Sequence, residues 1–249
     1  DLAAMGAKPG GVVLSAGYNR HLSDEWVEQF AKGFGQDCKS FGVSLWGGDT
    51  VVTPGPTFFS LTAFGYVPAG RALRRDTAKP GDVLAVTGTL GDAALGLAVL
   101  NDEFPDLDKN LAAYLQDRYL LPKPRLDESA VCAAANTRLA AMDVSDGLAG
   151  DCRKICAASN VGLVINRDAI PLSDAAKSIV DVDESQWERV LAGGDDYELL
   201  IAGSPDDIAA LGDMVTVIGG VTDEVGTVSL VGVDGKTAEL ADSGFDHFK

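Results

Sequence analysis

Lys79-Pro80-Gly81-Asp82-Val83-Leu84-Ala85-Val86-Thr87-Gly88-Thr89-Leu90-Gly91-Asp92 is the stretch that decides the fold. Its Pro-Gly-Asp punctuation predicts a turn, and the apolar, partly β-branched run Val83 to Thr87 predicts a strand. Two glycines then break the run before a helix over Asp92 to Leu100. Turn, buried strand, glycine loop and helix in that order are the signature of a layered α/β unit, so a domain boundary is placed at residue 79. The loop Gly88 to Asp92 could hold an anion on its backbone amides, although it lacks the Lys-Ser/Thr ending of a phosphate-binding loop and the dinucleotide glycine spacing.

Upstream, Gly11 to Ala16 reads as a strand. Ser23 follows as a helix N-cap, with Trp26, Val27, Phe30, Phe34, Cys38 and Phe41 at helical spacing. Gly42 to Trp46 reads as a buried strand ending in Gly47-Gly48-Asp49-Thr50, and Thr57 to Val67 as a longer one; Pro68-Ala69-Gly70 and the basic stretch Arg71 to Arg75 close this part. Downstream, helices are predicted at Asp108 to Tyr119, Leu126 to Asn136 and after Asp146, with strands at Val161 to Asn166 and Tyr197 to Ala202. Asp234-Gly235 supplies a two-residue hairpin turn between late strands. The fold class is α/β, of mixed α+β character, in two domains: 1–78 and 79–249.

The 249 residues are 46% apolar, enough to bury a substantial core, and 29 glycines allow many tight turns. Twenty Lys and Arg against 37 Asp and Glu leave a net charge of -17, which repels a phosphate backbone and argues against nucleic acid. Cys38, Cys132, Cys152 and Cys156 lack CxxC spacing and a histidine cluster, so they read as reduced, mostly buried thiols rather than a disulfide or zinc framework. No apolar run is long enough to span a bilayer and no leader pattern opens the chain, so a cytoplasmic location is expected.

Three glycine and aspartate clusters carry the candidate chemistry: Gly47-Gly48-Asp49-Thr50, Asp143-Val144-Ser145-Asp146-Gly147 and Gly193-Gly194-Asp195-Asp196-Tyr197-Glu198. One Gly-Asp pair is an ordinary turn. Three such clusters, each expected where an element meets a loop, point to a site where backbone approaches a ligand closely and carboxylates offer hard oxygens to Mg2+. With only His21 and His247 and no nucleophile elbow, Ser-His-Asp hydrolysis has little support.

These clusters, with Asp1-Leu2-Ala3-Ala4-Met5-Gly6-Ala7, Gly70-Arg71-Ala72-Leu73, Lys79-Pro80-Gly81-Asp82 and the ending Gly244-Phe245-Asp246-His247-Phe248, occur in order along the chain. In this the sequence resembles thiamine-monophosphate kinases, within the aminoimidazole ribonucleotide synthetase-like superfamily. The resemblance implies an amino-terminal ATP-binding and dimerisation domain, incomplete here because two aspartate-bearing segments of the family precede the position of Asp1. It implies a homodimer, and ATP-dependent phosphorylation of thiamine monophosphate to thiamine diphosphate with Mg2+. By position, Asp49, Asp143 and Asp146 would be the catalytic, metal-binding carboxylates. Gly48, Asp49, Arg75 and Ser145 would contact ATP, and Asp195 and Phe245 would line the substrate site. Two alternatives stand beside this: another ATP-dependent enzyme of the superfamily, acting like aminoimidazole ribonucleotide or selenophosphate synthetase, and a catalytically incompetent nucleotide-binding fragment.

A phosphate monoester acceptor explains why carboxylates and no general base are needed. Its second pKa is about 6, so it is already ionised at neutral pH. The obstacle is repulsion between anions, roughly 4 kcal/mol per pair of unit charges 4 Å apart at an effective dielectric of 20.

Overall fold

A computed structural model describes residues 1–135 and 138–240. The described residues divide into two compact units, one of Leu2 with Ala7–Arg71, the other of Asp1, Ala3–Gly6 and the described residues from Ala72 onward. Leu73 and Ala78 are buried in the cores of the larger unit, which therefore begins ahead of the turn at residue 79.

In the smaller unit, β1 (Lys8–Asn19), α1 (Asp24–Ser40), β2 (Ser44–Thr53) and β3 (Phe58–Tyr66) form a three-stranded sheet of order β2-β1-β3 with one helix. β1 pairs with β2 in parallel, as a helical crossover requires, and antiparallel with β3. Ser23 caps α1, its Oγ accepting from the Trp26 amide at 3.2 Å. The helix packs on one sheet face through Trp26 and Phe30, whose rings meet Tyr18 and Phe59; Phe30 and Phe59 stack at 4.2 Å. On the other face, Trp46 and Phe58 lie over Gly11 and Gly17. A Cβ at those glycines would stand 2.2 Å and 2.1 Å from the rings.

The cluster Gly47-Gly48-Asp49-Thr50 does not end a strand, as the sequence suggested. β2 continues through it to Thr53. The register slips between Val12 and Val13, leaving Trp46 without a partner as a bulge. Gly48 (φ +152°) follows, where a Cβ would fall 1.8 Å from the Leu14 carbonyl oxygen. Only glycine lets β2 approach β1 at this point.

The larger unit holds a seven-stranded sheet of order β10-β9-β6-β8-β4-β7-β5. Its strands are β4 (Val83–Val86), β5 (Ala140–Asp143), β6 (Gly162–Asn166), β7 (Leu199–Gly203), β8 (Thr216–Thr222), β9 (Val228–Val231) and β10 (Thr237–Glu239). Neighbours run antiparallel except β6 and β9. β4 and β7, inside the sheet, are covered on both faces, which is why they read as unbroken apolar runs. Leu84, Val86, Leu200 and Ala202 enter one core, with Leu148, Cys152 and Ile155 of α5 (Leu148–Ser159). Ala85, Leu199 and Ile201 enter the opposite core, with Cys132 of α4 (Leu126–Ala134) and Ile208 of α8 (Pro205–Ala209). A third cluster joins α2 (Asp92–Leu100), α3 (Lys109–Leu120) and α6 (Asp174–Val180). A short α7 (Trp187–Ala192) leads into the Gly193 to Glu198 run. Asp234-Gly235 turns β9 into β10, with Gly235 at φ +73°. All four cysteines are free, and burial lifts the Cys132 and Cys156 thiols to about 11. No helix among the described residues is long and apolar enough to cross a membrane.

Candidate active site

The antiparallel pairing of β5 with β7 continues past the strand ends and joins two of the three clusters. The Val144 amide donates to the Glu198 carbonyl at 2.8 Å, the Tyr197 amide to Val144 at 2.9 Å, and the Asp195 amide to Ser145 at 2.9 Å. Two glycines make this approach feasible. A Cβ on Gly194 would sit 2.2 Å from the Ser145 carbonyl oxygen, and one on Gly147 (φ +103°) 2.6 Å from that of Ala192. Asp195 and Tyr197 adopt left-handed conformations, φ 68° and 52°, a local strain worth about 1 to 3 kcal/mol each that surrounding structure must hold.

This zigzag sorts the side chains of the Gly-Gly-Asp-Asp-Tyr-Glu run. Asp195 and Tyr197 stay partly exposed and bond to each other, the phenol donating to Asp195 Oδ1 at 2.9 Å. Burial, that bond and the nearby charges of Asp195, Asp143 and Asp146 push the Tyr197 phenol up to about 12. The phenol thus remains a donor at neutral pH, and the carboxylates Asp143, Asp146 and Asp195 share its neighbourhood.

Asp196 and Glu198 point inward instead. Glu198 is fully buried and receives Arg125 through Nε and Nη2, both at 2.6 Å, Arg118 Nη2 at 2.9 Å and Thr87 Oγ1 at 2.6 Å. Asp196 accepts the amides of Gly91 at 2.7 Å and Ala93 at 3.1 Å, at the start of α2. The anion anticipated for the Gly88 to Asp92 loop is therefore the chain's own Asp196. Asp92 is buried too, held by Thr89 Oγ1 at 2.6 Å, Ser173 Oγ at 2.5 Å and the Tyr114 hydroxyl at 3.1 Å. These groups form the scaffold behind the site.

The loop Asp143 to Gly147 is fixed from α5. Asp151 is completely buried and accepts the amides of Ser145 at 2.9 Å and Asp146 at 3.0 Å on Oδ2. Lys154, one turn later, donates to Asp151 Oδ1 at 2.7 Å and to Asp146 Oδ2. Neither Asp151 nor Lys154 stands out in a reading based on loop clusters, although their three-residue spacing on a helix places them together. Arg75 and Asp143 line a cleft of about 550 Å³ with Arg74, Asp76, Met142 and Ala158.

Asp143, Ser145, Asp146, Asp195 and Arg75 thus belong to the larger unit, the first four on the two joined loops. Gly48 and Asp49 belong to the smaller unit, where Asp49 shares the sheet face of its partner Ser15 and is exposed. Phe245 lies outside the described residues. Among the described residues no three Asp, Glu, His or Cys side chains converge as a metal cage. Mg2+ is commonly held by one or two carboxylates together with phosphate oxygens and water, and the hard oxygens of Asp143 and Asp146 suit such an ion.

The chain matches the family model described as AIR synthase related protein, N-terminal domain, over residues 1–67, and the corresponding C-terminal domain over residues 79–231. It is 39% identical to the thiamine-monophosphate kinase of Salmonella typhimurium over 255 aligned positions, covering 100% of this chain and 76% of that protein. Among solved structures, the thiamine-monophosphate kinase of Stenotrophomonas maltophilia superposes with a TM-score of 0.83 at 37% identity, over 96% of this chain and 76% of that one. AaThiL complexed with AMPPCP and TMP superposes with a TM-score of 0.87 at 29% identity, over 99% and 76%. With its fold, its paired glycine and aspartate loops and relatives at this identity along its whole length, the chain belongs to the thiamine-monophosphate kinase family.

Proposed function

We propose that this protein transfers the γ-phosphoryl group of ATP directly to the phosphate of thiamine monophosphate, giving thiamine diphosphate and ADP. The observation that carries the reading is the backbone joining of Asp143-Val144-Ser145-Asp146-Gly147 to Gly193-Gly194-Asp195-Asp196-Tyr197-Glu198, in a chain whose relatives bear this name and include one complexed with AMPPCP and TMP. The bond formed joins an acceptor phosphate oxygen to the γ-phosphorus, and the bond broken is that between the γ-phosphorus and the β,γ-bridging oxygen. The acceptor is already ionised, so positioning and charge neutralisation supply the catalysis.

In this reading Asp143 and Asp146 hold Mg2+, and Gly48 and Asp49 serve nucleotide phosphates and metal. Mg2+ supplies neutralisation of the charge on the transferring group. Ser145 and Arg75 steady the nucleotide, and Asp195, fixed by Tyr197, orients the acceptor with Phe245. A homodimer is also proposed. It is supported by the smaller unit's sheet face bearing Trp46, Phe58 and Phe64, which are 51%, 51% and 43% exposed and have no covering element among the described residues of that unit. A cytoplasmic location fits substrates of this kind.

Incubation with Mg2+, ATP and thiamine monophosphate should give thiamine diphosphate and ADP in equal amounts by mass spectrometry. Thiamine itself, lacking the acceptor phosphate, should give no product. ADP release without thiamine diphosphate would overturn the assignment.

A further inference from the structure

We infer that Lys154 is an internal counter-cation for the site, holding Asp146 when no divalent ion is bound and so coupling metal binding to the arrival of the nucleotide. The inference deepens the proposed function, because it takes Asp146 as a metal ligand. Asp151 divides its two oxygens between tasks: Oδ2 accepts both loop amides, while Oδ1 accepts Lys154 Nζ. The same ammonium reaches Asp146 Oδ2, so one positive charge ties the site carboxylate to the buried anchor of its own loop. Lys154 and Asp146 are about one third exposed, at 35% and 32%, whereas Asp151 is at 0%. The anchor is thus permanent and the Asp146 arm can be exchanged with solvent ions.

Magnesium requires direct oxygen contact near 2.0 to 2.1 Å and near-octahedral geometry. While Asp146 Oδ2 accepts from the ammonium, a positive charge already stands against that oxygen and opposes the approach of a cation. Without nucleotide, an incoming ion must displace a charge-assisted pair and gains only one or two carboxylates in return. With nucleotide, phosphate oxygens complete the coordination and give the released ammonium another anion. Lys154 therefore acts through Asp146 as a positioning residue, lowering the occupancy of the site by metal alone.

The test measures Mn2+ binding to the full chain by the electron paramagnetic resonance signal of the free ion, with and without a non-hydrolysable ATP analogue. Lys154→Met keeps the length of the side chain and removes the charge. It is expected to tighten nucleotide-free Mn2+ binding roughly 2- to 5-fold, the upper part of the range of one partly exposed ion pair. Lys154→Arg should stay near wild type, the gain should vanish in Lys154→Met/Asp146→Asn, and the analogue should narrow the difference. Should Lys154→Met fail to fold by circular dichroism, Lys154→Gln makes the same measurement. Unchanged or weaker nucleotide-free Mn2+ binding in the folded variant overturns the inference. No turnover is read, so that result would leave the proposed activity standing, whereas full turnover by Asp146→Asn would remove the metal-ligand role beneath both.

Discussion

At the scale of single residues, the run Asp195-Asp196-Tyr197-Glu198 shows what a sequence can and cannot distinguish. Its four polar side chains are equivalent as text, yet the chain's zigzag sends Asp196 and Glu198 into the protein and leaves Asp195 and Tyr197 at the surface. Burial raises the Asp196 carboxyl to about 7, opposed by the Gly91 and Ala93 amides. A carboxyl raised in the folded state favours folding below its unfolded pKa, near 3.9, and loses that contribution as pH climbs through the folded value. Stability should therefore decline between about pH 4 and 7, on the order of a few kcal/mol at roughly 1.4 kcal/mol per unit. Urea unfolding from pH 5 to 8 should show the decline in the wild type and a flatter profile in Asp196→Asn; equal slopes would count against it. Glu198 is buried between two arginines that both donate to it, and Glu198→Gln should cost about 3 to 5 kcal/mol by leaving buried guanidinium charge uncompensated. A loss below about 1 kcal/mol in denaturant unfolding would show the network to be dispensable.

At the scale of elements, the helix capped by Ser23 is legible because helical periodicity and caps are local signals, whereas α2, which has no side-chain cap, is legible from its Ala- and Leu-rich run after the glycine loop. The hairpin at Asp234-Gly235 is legible in place but not in type: Gly235 supplies the left-handed residue, while the Gly232 amide donates to the Lys236 carbonyl, leaving three residues in the turn rather than the two expected. β5 is not legible, since its buried residues face cores on both sides of the sheet, Ala140 and Met142 one and Ala141 the other, and so short a run carries no periodicity of its own. The same limit explains Gly47 to Thr50. Gly48, which reads as part of a strand end, is there because β2 presses against β1 beside a bulge, a long-range fact. The candidate residues of the two loops were visible as a cluster of types, but their joining depends on the β5 and β7 pairing, and Asp151 and Lys154 emerge only once α5 is seen to brace the loop. Gly194→Ala tests the joining. Its methyl group would meet the Ser145 carbonyl, so Asp195 should shift relative to Ser145, and turnover should fall by about 100-fold, as misplacements near 1 Å can cause. Wild-type kinetics in that variant would mean the loops work independently.

At the scale of the whole molecule, the net charge of -17 and the two-unit division agree with a small-molecule enzyme. The open sheet face of the smaller unit combines aromatic side chains with glycines beneath them, a flat apolar surface that favours self-association. Phe64→Asp should convert a species of twice the chain mass into one of single mass in sedimentation equilibrium; a monomeric wild type would contradict the dimer. In the proposed function the carboxylates on the joined loops support phosphoryl transfer by charge neutralisation. The most direct measurement compares the rate of thiamine diphosphate formation by the wild type with those of Asp143→Asn and Asp146→Asn, with circular dichroism melts alongside. The predicted result is a loss of at least about 100-fold in each variant, the scale of one lost electrostatic stabiliser, with melting temperatures close to wild type. Wild-type rates in both variants would contradict it.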